Sequence, residues 1–174
     1  MAIELGLDFY VFRGDLAGAG GWLQRAHRLL DGIAPSPERG WLELWEAHIA
    51  LLEHNDVAFA KRACSEILAL AESLDVVDLE ILALALSGLA LVNEGRVDDG
   101  MRRLDEATTA ALAGEMRDVD AVVTACCYHI YACEHVRDVP RAIAWCERAE
   151  DVSRRWSYRS MFAFCRCHYA AVLI

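Results

Sequence analysis

The sequence predicts an all-α protein, a right-handed α-solenoid of four long helix pairs followed by a ninth helix. The first observation behind this prediction is internal repetition. Four similar segments begin at Gly14, Asn55, Gly95 and Arg137, with starts 41, 40 and 42 residues apart, and a constant period in this range is typical of stacked helical repeats. The second is that only three prolines and eleven glycines interrupt 174 residues, too few for the many turns of a β-sandwich.

The apolar residues of each repeated segment follow the spacing of one helix face. In the first segment they are Leu16, Ala19, Leu23 and Ala26, at offsets of three, four and three residues. The residue equivalent to Ala19 is small in every other segment: Ala60, Gly100 and Ala142. Each segment is therefore predicted to form the second helix of a pair, and its small residues let a neighbouring helix approach closely.

A more apolar helix is predicted before each of these segments, over residues 3–12, 38–53, 79–94 and 119–136. Ser36 and Pro37 give the second of these helices an N-cap and a first-turn proline. Asp56 and Asp98 place negative charge at the starts of later helices, where the helix dipole favours it. The chain is thus predicted to be one repeat domain over 1–174, with repeats at about 1–33, 36–75, 77–114 and 117–156 and a last helix at 158–174.

The repeat also resembles a known family. A helix pair with Gly-Asp at its turn, then an aliphatic residue, a small residue three positions later and a further alanine, resembles the tetratricopeptide repeat, although that repeat is usually shorter, at about 34 residues. Stretches such as FRGDLAGAGGWLQRAHRLLDG and EGRVDDGMRRLDEATTAALAGEM resemble the long repeats of actinobacterial LuxR-type, ATPase-associated transcriptional regulators. The resemblance implies a regulatory scaffold for transcription regulation, which binds a protein, a peptide or a small effector. The DNA-binding and nucleotide-binding modules of such regulators would lie outside this chain.

Composition narrows the class of protein further. The net charge of −10 argues against direct contact with nucleic acid through this segment. The longest uncharged runs, 81–93 and 121–133, have 13 residues each, whereas a membrane-spanning helix needs about 20. The N-terminus lacks the basic segment of a signal peptide. We therefore predict a cytoplasmic protein without membrane contact, with its seven cysteines as reduced thiols.

The usual catalytic and phosphate-binding motifs are missing from the sequence. It has no glycine-rich turn ending in Gly-Lys-Ser/Thr, no Gly-x-Ser-x-Gly elbow and no His-Glu-x-x-His pair. Gly18, Gly20 and Gly21 form a cluster, but they lie where the repeat has small residues for helix contact. We therefore predict a binding protein rather than an enzyme, without a cofactor.

An alternative reading rests on thiol and imidazole side chains. Cys126, His129 and Cys133 share one helix face, and Cys165 and His168 share a face of the next repeat's first helix. Such a set suits zinc or another soft metal, so the alternative function is a small metal- or redox-responsive sensor. Against it, both cysteines of the first group align with apolar positions of earlier repeats and are expected to fill the core.

The resemblance places a binding groove along the first helices of the pairs. One helical stripe along them contains acids, aromatic residues and amides: Asp8, Phe12, Trp45, Ile49, Glu53, Asn93, Tyr131, Glu134, His135 and Tyr169. In the middle repeat the stripe is nearly all apolar, with Ala85 and Leu89, which predicts a narrow groove. Acids around aromatic residues suit a basic peptide or a cationic small molecule.

The C-terminal segment predicts self-association. Residues 158–174 carry apolar side chains on more than one side of the predicted helix, and no polar capping helix follows. An uncovered repeat face exposes a large apolar patch. Either the natural protein continues and this chain is a fragment, or another copy covers the patch. For the second case we expect a homodimer through this helix, since two-fold pairs are the commonest homo-oligomers.

Overall fold

The structure is a computed structural model, and it describes residues 1–156 and Ala170. Over 1–156 the chain is helical and contains no strand, so the all-α prediction is confirmed. The helices are α1 (Ala2–Leu7, continued by a π-helical turn over Asp8–Phe12), α2 (Leu16–Leu30), α3 (Pro37–His54), α4 (Val57–Leu74), α5 (Val77–Asn93), α6 (Val97–Ala113), α7 (Val119–Val136) and α8 (Val139–Trp156). The predicted ninth helix, at 158–174, lies outside the described residues, apart from Ala170.

Local chemistry explains where several helices begin. The Ser36 hydroxyl accepts a hydrogen bond from the N–H of Arg39, and Pro37 occupies the first turn of α3. Asp56 and Asp118 cap α4 and α7 in the same way, and Asp56 accepts from the N–H of Phe59 at 2.9 Å. These side chains satisfy N–H groups that have no partner within their own helix.

The turns inside the four pairs share one backbone conformation. Gly14, Asn55, Gly95 and Arg137, the residues at which the four repeats were aligned, have φ angles of 62°, 51°, 90° and 57°. This left-handed conformation ends a helix sharply, and glycine adopts it at the lowest cost. The turns between the pairs contain the same conformation, at Gly32, Asp75 and Gly114.

The first helix differs from the sequence prediction of a continuous helix over 3–12. It changes at Asp8 into a π-helical turn that ends at Phe12. A π-helical turn contains more residues than an α-helical turn, so it changes which side chains face the neighbouring helix. Tyr10 lies in this turn, and its hydroxyl reaches Glu53 on α3.

Each helix contacts the next one along the chain, and a second set of contacts joins α1 to α3, α3 to α5, α5 to α7, and α6 to α8. The closest approach joins α5 and α6. A Cβ atom on Gly100 would lie 2.6 Å from the carbonyl oxygen of Gly88, and one on Gly88 would lie 2.9 Å from the oxygen of Gly100. Both distances are too short for a real side chain, so the backbones of the two helices touch here.

The buried residues form two cores. The larger runs without interruption from Leu44 on α3 to Ala149 on α8. The smaller consists of Leu23 and Ala26 on α2 with Leu42 on α3. The first helix pair is therefore attached to the rest of the protein through a core of its own.

Candidate ligand-binding cavity

A cavity of about 890 Å³ lies between the end of α1, helix α3 and helix α7. Its wall is largely apolar and aromatic, with a few polar side chains. The lining residues are Leu7, Tyr10, Val11, Phe12, Gly14, Leu16, Trp45, His48, Leu52, Glu53, Asp120, Val123, Thr124, Cys127, Tyr128 and Tyr131.

Helical spacing brings the lining residues of α3 and α7 to the cavity. Trp45, His48 and Leu52 are three and four residues apart and share one face of α3. Helix α5 contacts both α3 and α7, and its Ala85 and Leu89 are fully buried. Helix α5 therefore adds no side chain to the cavity wall, and α3 and α7 face each other across the cavity beside the end of α1.

A hydrogen bond between His48 and Tyr128 joins these two walls. The Nδ1 atom of His48 lies 2.5 Å from the Tyr128 hydroxyl, across 80 residues of sequence. Burial lowers the pKa of His48 to about 4 and raises the pKa of Tyr128 well above its ordinary value. At neutral pH the imidazole is therefore uncharged and the phenol keeps its proton.

The direction of this hydrogen bond follows from burial. A fully buried phenol proton needs an acceptor, and the Nδ1 lone pair lies at hydrogen-bond distance. Tyr128 therefore donates to Nδ1, and the imidazole proton resides on Nε2. His48 also packs edge-on against the rings of Tyr10 and Trp45, with centroids 5.4 and 5.2 Å away. The ring is held on several sides, and its Nε2–H is the donor left for a ligand.

Two carboxylates belong to the cavity wall, Glu53 on α3 and Asp120 in the first turn of α7. The Tyr10 hydroxyl donates to Glu53 Oε1 at 2.7 Å. Burial and the Glu53 carboxylate raise the pKa of Tyr10, and burial with Glu134 and Glu53 raises the pKa of Tyr131. Neither lysine nor arginine is found among the described lining residues, so the charge on this wall is negative.

A second cavity, of about 800 Å³, adjoins the first and shares Leu52 and Tyr131 with it. Three polar side chains form a ladder along it. Asn93 Nδ2 donates to Asn55 Oδ1 at 3.3 Å, and His135 Nδ1 lies 3.2 Å from Asn93 Oδ1. Because that amide oxygen is an acceptor, His135 donates through Nδ1. The ladder joins the ends of α3, α5 and α7.

The predicted groove residues separate into three groups. Phe12, Trp45, Glu53 and Tyr131 line the first cavity, and Asn93, Tyr131 and His135 line the second. Asp8, Ile49 and Glu134 line neither. Asp8 pairs with Arg13 at 2.8 Å, and Ile49 packs against the smaller core. Tyr169 lies outside the described residues.

Sequence reasoning missed several lining residues, among them Tyr10, His48, Asp120 and Tyr128. On α3 the sequence predicts the stripe Trp45, Ile49 and Glu53, whereas in the structure Trp45 and Glu53 line the cavity together with His48 and Leu52, and Ile49 does not. A stripe of successive four-residue steps drifts around a 3.6-residue helix, while alternating steps of three and four stay on one face. A strict three-and-four pattern would have pointed to His48.

The thiol and imidazole group of α7 faces the interior. Cys126, His129 and Cys133 are all buried, and burial raises the pKa of Cys133 to about 12. Within the described part of the chain, no group of three His, Cys, Asp or Glu side chains has an arrangement that could hold a metal ion. Cys165 and His168 lie outside the described residues, so the five-residue metal site stays a prediction.

His129 instead belongs to a polar group between α6, α7 and α8. Its Nδ1 lies 3.0 Å from the Thr108 hydroxyl, and its Nε2 lies 3.4 Å from Asp105 Oδ1. Trp145 donates to the same carboxylate oxygen at 3.2 Å. The order hydroxyl, imidazole, carboxylate is that of a catalytic triad, but Thr108 and His129 are both fully buried. A substrate cannot reach this hydroxyl, and within the described part of the chain His129 Nε2 has no hydrogen-bond partner.

No protein-family model, no curated protein and no solved structure matches this chain. Among the described residues, none of the helices is both long enough and apolar enough to cross a membrane. The function is therefore argued from the cavity itself.

Proposed function

We propose that this chain is a non-catalytic binding module whose function is to hold a small effector in the cavity between α1, α3 and α7. The observation that carries the proposal is the cavity of about 890 Å³ with a mainly apolar, aromatic wall and a few fixed polar groups. Pockets of roughly 300–1,000 Å³ with this composition are typical small-molecule sites. The cavity is bounded by three helical elements, which favours a compact effector over an extended peptide.

The wider setting of the proposal is a right-handed solenoid of tetratricopeptide-like pairs. Two observations support it: contacts join each first helix to the first helix of the next pair, and the four turn positions share a left-handed conformation. The resemblance to LuxR-type regulators supports a role as their regulatory region in the cytoplasm. In that role, effector binding would change how the scaffold contacts other protein modules.

A neutral fluorescent probe tests the cavity as a binding site. N-Phenyl-1-naphthylamine gains fluorescence in apolar surroundings, and the wild-type protein should bind it with about one equivalent at saturation. Thr124 lines the cavity, so Thr124→Trp should occupy part of the space and weaken binding. Thr109 is an exposed residue of α6, and Thr109→Trp is the matched control that should leave binding unchanged.

Cys127 supplies a second readout at the same place. It is half-buried and lines the cavity, whereas Cys64, Cys126, Cys133 and Cys146 are buried. Bound probe should slow the alkylation of Cys127. Mass spectrometry of the peptide that contains Cys127 measures this rate. If Thr124→Trp leaves the probe affinity unchanged, or if bound probe does not slow alkylation of Cys127, this cavity is not the site.

The homodimer through residues 158–174 remains a separate proposal, because this segment lies outside the described residues apart from Ala170. Sedimentation velocity at micromolar concentration tests it. A protein that is monomeric at all concentrations would contradict the homodimer without affecting the proposal for the cavity.

A further inference from the structure

We propose that the ligand of this cavity is an organic cation, a small molecule with an apolar ring-containing body and one amine or quaternary ammonium group. The inference rests on the proposed function, since it names the chemical class of ligand for the same cavity. Three properties of the wall carry it: its charge, its aromatic faces and the uncharged state of its histidine.

The charge of the wall favours a cation. Glu53 and Asp120 both line the cavity, and no described lining residue is lysine or arginine. The nearby Arg13 does not line the cavity. It pairs with Asp8 at 2.8 Å and lies over the Phe9 ring at 4.3 Å. Both carboxylates are exposed at the wall, where each attracts a cation and repels an anion.

The aromatic residues provide a second source of attraction. Phe12, Trp45 and Tyr131 line the cavity from α1, α3 and α7, so rings surround the space on three sides. The face of an aromatic ring attracts an ammonium group, and tryptophan does so best. Phe12 is 73% exposed.

Hydrogen bonding fixes the carboxylate at its end of the cavity. Tyr10 donates to Glu53 Oε1 at 2.7 Å, which holds the acid beside the aromatic rings while its second oxygen remains an acceptor. An ammonium N–H or the polarised methyl groups of a quaternary ammonium can approach that oxygen. The Tyr10 hydroxyl therefore positions Glu53 for a cation.

His48 does not oppose a cation. It is the one described lining residue that could carry positive charge, and its Nδ1 is occupied by the Tyr128 hydroxyl in a site that favours the neutral ring. Its Nε2–H can donate to an oxygen or nitrogen on the body of the ligand. A preferred ligand thus combines a cationic group near Glu53 with a hydrogen-bond acceptor near the middle of the cavity.

Three fluorescent dyes of similar size and different charge test the inference. The cation thioflavin T, the neutral N-phenyl-1-naphthylamine and the anion 1-anilinonaphthalene-8-sulfonate are titrated into the 174-residue protein under identical conditions. We expect thioflavin T to bind at least about tenfold more tightly than the anion, because the wall attracts one charge and repels the other. Its affinity should fall with added salt, while the affinity of the neutral dye should not.

Two variants separate charge from shape. Glu53→Gln keeps the acceptor for Tyr10. It should lower the affinity for thioflavin T by about tenfold and leave the affinity for the neutral dye unchanged. Glu106 is an exposed acid of α6, and Glu106→Gln is the control that should change neither dye. Circular dichroism checks that each variant is folded, and Asp120→Asn gives the same test should Glu53→Gln fail to fold.

The outcomes distinguish this inference from the proposed function. If the anion binds as tightly as thioflavin T, or if neither Glu53→Gln nor Asp120→Asn weakens the cation, the ligand class is wrong. Binding of the neutral dye with protection of Cys127 would still support the cavity as a site. If none of the three dyes binds, the proposed function and the inference are both wrong.

Discussion

The first helix pair and the block from α4 to α7 share a sequence pattern, yet they are held in place by different forces. The block shares one continuous apolar core. In the pair α1–α2, Leu23 and Ala26 form a small core with Leu42, and polar links such as His27 Nε2 to Glu46 Oε1 at 2.7 Å are added. Apolar burial is worth more than exposed hydrogen bonds, so the two regions should differ in local stability.

Exposed apolar side chains show the same difference. Among the described residues beyond the first pair, Val77 is the only large hydrophobic residue that is exposed. The first pair and its ends expose six: Met1, Val11, Phe12, Leu16, Leu29 and Ile33. The cavity lies at the boundary between the two regions, with α3 and α7 on one side and the end of α1 on the other. A binding site with one firmly packed wall and one lightly attached wall can admit a ligand without disturbing the core.

The largest expected effect concerns pH and the buried imidazole that joins α3 to α7. The pKa of His48 is near 6.5 when unfolded and about 4 when folded, so the unfolded state binds more protons between these values. The contribution of His48 to stability should therefore be complete above pH 6.5 and decrease by about 3 kcal/mol as the pH drops to 4. The buried His129, whose pKa is lowered to about 3, adds to this decrease. Urea titrations across this range measure it.

His48→Gln removes the titrating group and should flatten that part of the pH dependence. The difference between variant and wild type isolates this histidine from the acids that titrate in the same range. Parallel curves would mean that His48 does not remain neutral in the folded protein.

A second prediction compares equivalent alanines in the two regions. Ala107 on α6 is fully buried in the large core, so Ala107→Phe should lower the free energy of unfolding by about 1–3 kcal/mol through overpacking. Ala26 occupies the equivalent position in the small core, where neighbours can move aside, and Ala26→Phe should cost less. Denaturant titration measures both, and equal losses would contradict the difference between the regions.

A third prediction uses glycines with opposite surroundings. Gly100→Ala should destabilise by about 1–2 kcal/mol, because its Cβ would meet the backbone of α5 at 2.6 Å and cannot be accommodated by a side-chain movement. Gly21 lies within α2 with open space around it, so Gly21→Ala should stabilise by about 0.5–1 kcal/mol. A melting temperature that rises in both variants would refute the close contact of α5 and α6.

The smallest expected effect concerns the link between α1 and α3. Tyr10→Phe removes the hydrogen bond to Glu53 and should cost about 1 kcal/mol or less, because the bond is exposed. Hydrogen exchange should accelerate in residues 8–12 while α5 and α6 keep their protection. Acceleration spread evenly over the chain would show that the two regions open together.

Local features were predictable from the sequence because they depend on near neighbours. The cap at Ser36 and the buried face of Ala19, Leu23 and Ala26 follow from spacing within one helix, whereas Leu16, predicted on the same face, is 46% exposed. The small residue at position 100 was predicted as a point of helix contact, and the structure shows why: the Gly88 backbone leaves no room for a side chain. Only the identity of the opposing residue was missing.

The cavity depends on which distant residues meet. His48 and Tyr128 are 80 residues apart, and no periodicity within either helix indicates that they share a hydrogen bond. The π-helical turn that carries Tyr10 rotates the end of α1, and a regular helical stripe cannot anticipate that change.

The sequence by itself determined that the chain is helical, where most helices begin and which face of each second helix is buried, because backbone hydrogen bonding and apolar periodicity act over a few residues. Only the tertiary structure decided which side chains line the cavity, how the His48 proton is placed and how the first pair is attached. Those properties depend on the rotation and distance between packed helices, and these are set by the sum of many weak contacts across the whole core.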